Sequence, residues 1–108
     1  MILVYHAKEM NPFPAVEEVL RAFDHVHRSD SDAYSHVASV EIDDMEEVYA
    51  RTNHLYGNWC DELTRDERGL VKGNGKHRST SVGDVFVCRD GIYLVDRVGF
   101  TLARRFEV

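Results

Sequence analysis

Two cysteines and two prolines are all that this chain of 108 residues holds of either type. Cys60 and Cys88 are too few for a disulfide framework and lack the CxxC spacing of a zinc or redox site, so both are expected as reduced thiols. No apolar run approaches the roughly 20 residues that a membrane-spanning helix needs. Met1-Ile2-Leu3-Val4-Tyr5 has neither a basic flank nor a cleavage site. These absences predict an unexported, cytoplasmic protein with no membrane partner. Histidines are present but scattered: His25 and His27 sit two apart and point to different helix faces, and His6, His36, His54 and His77 show no ligand spacing. No cofactor or metal is implied.

What is present is charge, unevenly placed. The net charge is −6, yet residues 1–62 carry 4 Lys/Arg against 13 Asp/Glu, while residues 63–108 carry 9 against 6. Such a split gives a folded domain an acidic and a basic face and biases what it meets. At 44% apolar and 30% charged, the composition is that of a globular chain, and the length fits one domain over residues 1–108.

The pattern along the chain predicts an α+β fold of order β-α-β-α-(long loop)-β-β, a small, mostly antiparallel sheet covered by two helices. Met1 to Ala7 suits a buried strand. Val16, Val19, Leu20, Phe23 and Val26 form one helical stripe within residues 14–27, with Pro14 in the first turn. His36 to Ile42 alternates as a strand. Asp43 is the expected N-cap of a second helix that ends near His54, with Glu46 in capping-box position. Residues 56–81 lack periodicity and predict a long loop, mobile over 65–78 and tethered at its start by Trp59. Val82 to Arg89 and Ile92 to Phe100 flank Asp90-Gly91, the strongest short hairpin signal, which predicts Val87 opposite Leu94 and Phe86 opposite Val95.

The run Glu46-Glu47-Val48-Tyr49-Ala50-Arg51-Thr52-Asn53-His54, then Trp59, then Arg78-Ser79-Thr80-Ser81-Val82-Gly83-Asp84-Val85, and finally Val98-Gly99-Phe100, resembles a diffuse group of short proteins encoded by phages, plasmids and other mobile elements. Some of these are similar to domains of large polyvalent phage proteins of YodL-like type. The resemblance covers residues 45–100. It implies a mobile-element origin and an intracellular site of action, and it brings no catalytic residue.

Chemistry is sparse. Lys72-Gly73-Asn74-Gly75-Lys76-His77-Arg78 invites a phosphate-binding reading, but five residues separate Gly69 from Gly75 where a P-loop has four, and a strand follows where a P-loop has a helix. A surface loop anchored by Arg78 is the simpler reading; Lys72, Lys76 and Arg78 with Arg104 and Arg105 form the candidate anion or nucleic-acid contact. The acidic total argues that such contact is weak. Trp59 either pins the loop to the core or meets a partner. Phe86, Cys88, Tyr93 and Val95 share one hairpin face and Val85, Val87, Ile92 and Leu94 the other, so one apolar face is surplus to a one-sided core. Phe86, Tyr93, Val95 and Trp59 are therefore the candidate partner-binding residues, for a host protein or a homodimer. The expected function is a non-enzymatic interaction module that binds and inhibits a host protein, such as a defence component. The alternatives are a weak nucleic-acid-binding accessory protein and a small enzyme with an unrecognised site.

Overall fold

The computed structural model describes residues 1–10, 13–23, 33–53, 58–73 and 75–107. In chain order these form β1 (Ile2–Ala7), α1 (Val16–Ala22), β2 (Tyr34–Val40), α2 (Met45–Thr52), α3 (Trp59–Arg65), β3 (Gly69–Val71), β4 (Val85–Val87), β5 (Gly91–Val95) and β6 (Phe100–Arg105). The strands make one six-stranded antiparallel sheet in the order β3-β2-β1-β4-β5-β6. The α+β class follows from the sequence; three elements do not. α3 and β3 lie inside the expected loop of residues 56–81, and the expected last strand divides at Asp96–Gly99 into β5 and β6.

Both sheet faces are covered, where a one-sided core was expected. On one face Val19 of α1 and its C-cap residue Phe23 pack with Tyr5, Val85, Val87, Ile92 and Leu94. On the other, Val48 of α2 and Trp59, Cys60 and Leu63 of α3 pack with Ile2, Val4, Val40, Phe86 and Val95. Two apolar hairpin faces thus have two helical layers to meet, and neither Phe86 nor Val95 is left as a free surface. Burying such side chains contributes roughly 1.5–3 kcal/mol each.

The local reasons are specific. α3 is seven residues long, too short for a periodicity window, but Asn58 caps it by accepting from the Cys60 amide at 3.0 Å. β3 survives at three residues because the sheet holds it: the Lys72 amide donates to the Val37 carbonyl at 2.9 Å and the Glu41 amide to the Arg68 carbonyl at 2.6 Å. Asp44, not Asp43, caps α2, accepting from the amides of Glu46 and Glu47 at 3.0 and 3.4 Å. Pro14 lies before α1, whose N-cap is Ala15. The expected extension of α1 to residue 27, with His25, Val26 and His27, and the expected end of α2 at His54 fall outside the described residues.

The hairpin register also differs. Phe86 faces Tyr93 and Val87 faces Ile92, and the Cys88 amide donates to the Gly91 carbonyl at 2.8 Å, so Arg89 and Asp90 form the link. Gly91 is not in the left-handed region; it belongs to β5, where an added Cβ would collide with the Arg104 carbonyl. The glycine serves close approach of β6, not the turn. Each hairpin residue moves by two pairing positions, which keeps every side chain on its expected face.

These bonds carry a prediction for residues 65–78. In amide hydrogen exchange, Lys72 exchanges more slowly than an unstructured amide because its N–H is tied to β2; uniformly fast exchange across the segment would contradict the placement of β3.

Candidate functional site

Connection 72–84 runs from β3 at one sheet edge to β4 in the middle, and it carries the densest polar cluster. Asp84, fully buried, is its centre. Its Oδ1 accepts from the Ala7 amide at 2.8 Å and from the Arg78 guanidinium at 2.8 Å. Its Oδ2 accepts from the same guanidinium at 2.7 Å and from the Ser81 amide at 2.8 Å. Arg78 also donates to the Ala7 carbonyl at 2.8 Å and the Ser79 carbonyl at 3.0 Å. The pair is bidentate, the geometry in which guanidinium and carboxylate bind most strongly.

Around it the neighbouring elements are tied in. Trp59 is buried, and its indole N–H donates to the Arg78 carbonyl at 2.8 Å. The Thr80 amide donates to the Thr52 carbonyl at the end of α2, also at 2.8 Å. Gly83, at φ 96°, donates its amide to the Val95 carbonyl of β5. His6 of β1 places Nε2 at 2.9 Å from the Thr80 hydroxyl and 3.8 Å from Asp84. His77 lies stacked near Trp59 and holds the Lys72 carbonyl at 2.7 Å.

A Thr-His-Asp group prompts comparison with a nucleophilic triad, in which the base uses one ring nitrogen for the nucleophile and the other for the carboxylate. Here Nε2 faces both Thr80 and Asp84, and Thr80 is fully buried. The arrangement suits holding, not attack. Burial drives His6 down to about 4, with Arg78 and His77 adding to the fall and Asp84 opposing it. Burial, with Asp90 nearby, pushes the Cys88 thiol up to about 12, so it stays protonated at neutral pH.

The candidate partner-binding residues separate. Phe86, Val95 and Trp59 are core. Tyr93 alone stays partly exposed, its hydroxyl donating to Asp90 at 2.9 Å. The candidate anion-binding set also comes apart. Lys72 follows β3 and Arg104 and Arg105 lie on β6, the opposite edge of the sheet, five strand spacings or about 24 Å away. Arg78 is committed to Asp84, and Arg104 points to the Phe23 carbonyl at 3.5 Å. Lys76 is exposed on the connection.

What the sequence reading missed is the surface around β6. Val98, at the tip of the β5–β6 turn, is 93% exposed; Phe13, under the Arg97 guanidinium at 4.0 Å, is 71% exposed; and Leu102 on β6 is 37% exposed. The signal was Asp96-Arg97-Val98-Gly99, whose Gly99 adopts φ 76° while Asp96 N–H reaches its carbonyl at 3.0 Å. Taken as a turn, it would have revealed both the sixth strand and an apolar tip.

The cluster predicts a pH dependence. His6 falls from 6.5 to about 4 on folding, so between those values the unfolded chain binds a proton that the fold refuses. Stability from this group is complete above pH 6.5 and declines as pH drops toward 4, by about 3 kcal/mol in total. Urea unfolding at pH 7 and pH 4.5 reads this loss, and His6→Gln removes that part of it. An unchanged pH dependence in the variant would contradict the assignment.

Among the described residues, no helix is long and apolar enough to cross a membrane. Compared with protein-family models, curated proteins and solved structures, the chain gives no significant match.

Proposed function

We propose that this chain is a non-enzymatic protein-interaction module of phage or mobile-element origin that binds and inhibits a host protein, with a defence component as one such target. One observation carries the reading. Val98 and Leu102, on the last turn and strand, and Phe13, held against Arg97 of that turn, are exposed. Exposed apolar side chains that gather in one place mark interaction sites more often than scattered ones do. The resemblance over residues 45–100 supports the mobile-element origin. Nucleic-acid binding is less favoured, because the basic residues expected to share it lie on opposite sheet edges.

The reading is tested by capture from nuclease-treated lysate of the host cell, using wild type and a Val98→Asp/Leu102→Asp variant. The expected result is a protein retained by wild type and lost at least tenfold from the variant, with thermal unfolding unchanged. Capture that disappears with nuclease would instead favour the nucleic-acid reading, and equal capture by both proteins would place the contact elsewhere.

A further inference from the structure

The sheet has two edges of different kinds. β3 is three residues long, and such a short strand blunts an edge against pairing. β6 is six residues long, and among the described residues no strand pairs with its outer side. The Gly99 carbonyl and the Phe106 amide point inward, bonded to the Asp96 amide and the Asp90 carbonyl. The register shift between Ile92 and Tyr93 makes Ala103 an extra residue in β6, so antiparallel alternation, counted in from each end, turns the N–H and C=O of Phe100, Leu102 and Arg105 outward.

The side chains along this edge say what fits it. Arg97 and Arg105 stand exposed at its two ends, and Arg104 lies between them on the α1 side. Asp96, the nearest carboxylate at the turn, is already taken by the Thr101 hydroxyl at 2.7 Å and the Arg97 amide at 2.7 Å. Asp90 on the neighbouring link is likewise taken by the Tyr93 hydroxyl, and with Glu107 counted residues 96–107 carry three arginines against two carboxylates, a local excess of positive charge in a chain of net charge −6. A second copy laid antiparallel over the same six residues would set Arg105 against Phe100 and Arg104 against Thr101, which leaves both guanidinium groups without a carboxylate that an acidic segment would supply. On the α2 side, cover reaches as far as Phe100, whose ring lies 6.3 Å from Tyr49, and leaves Leu102 and part of Tyr93 open beside the edge.

We infer that the outer edge of β6 takes up an extended acidic segment of a partner protein as a seventh strand. This rests on the interaction-module reading and names the chemistry of its partner. Main-chain hydrogen bonds to Phe100, Leu102 and Arg105 hold the segment, apolar side chains lie beside Leu102, and carboxylates meet Arg97, Arg104 and Arg105. This is strand addition, in which the backbone gives affinity and alternate side chains give specificity.

The probe is a fluorescein-labelled octapeptide of alternating glutamate and valine, with an alternating lysine and valine octapeptide as control, followed by anisotropy and amide exchange. The acidic peptide is expected to bind, the basic one to bind at least tenfold more weakly, and protection to rise at Phe100, Leu102 and Arg105. Arg97→Glu/Arg105→Glu should weaken binding tenfold or more, and Leu102→Pro should abolish it by removing an outward N–H. Because the proline variant risks misfolding, the charge reversal with unchanged thermal unfolding is the deciding one. Equal binding of both peptides, protection confined to other strands, or a dimer by sedimentation that protects these same amides would overturn the inference. If the acidic peptide fails while Val98→Asp/Leu102→Asp still abolishes lysate capture, the interaction reading stands and strand addition falls. If capture also survives that variant, the contact lies away from β6, and strand addition falls while the interaction reading does not.

Discussion

Asp84 is fully buried, and its carboxylate is held there because four donors converge on it. Two come from the Arg78 guanidinium and two from the backbone amides of Ala7 and Ser81, which fill the accepting positions a carboxylate has. A buried ion is costly to desolvate, and the arrangement holds only while every partner is present. The consequence is geometric. Ala7 ends β1, Ser81 precedes β4, and Arg78 accepts from Trp59 at the start of α3 through its own carbonyl. One ion pair thus fixes where the connection from the sheet edge enters the middle of the sheet, and how α3 lies over it.

The residues that carry the resemblance acquire a physical meaning from this. Thr52 takes the Thr80 amide, Trp59 takes the Arg78 carbonyl, Ser81 and Asp84 close the turn before β4, Gly83 bonds to β5, and Phe100 stacks toward Phe86 at 5.6 Å. Most of the pattern is engaged in holding the fold. Val98 also belongs to the pattern, but it is exposed at the turn before β6, beside the edge where Leu102 is exposed as well. Neither Val98 nor Leu102 is among the groups that hold the ion pair.

The sequence made the fold class, β1, β2, α2, the core of α1 and the two apolar hairpin faces legible, because each rests on a run with clear periodicity. It hid α3, β3 and the β5–β6 division for a common reason: each is a short element stabilised by tertiary partners. α3 leans on Trp59, Cys60 and Leu63 in the core, and β3 on two backbone bonds to β2. Asp90-Gly91 misled because a glycine needed for close packing against β6 looks, in sequence, like one needed for a turn. Phe86 and Val95 were expected on a free face for a related reason. Without α3, the Phe86 and Val95 face had nothing to cover it.

The central claim is that Arg78 and Asp84 act as one unit, and a double-mutant cycle of Arg78→Met and Asp84→Asn by urea unfolding at pH 7 tests it most directly. Each single change leaves a charge or a set of amides unpaired and is expected to cost about 3–5 kcal/mol. The double variant should then be destabilised by clearly less than the sum, with a coupling of roughly 2–3 kcal/mol. Additive losses, with coupling below about 0.5 kcal/mol, would show that the two residues stabilise the fold independently and would contradict the account.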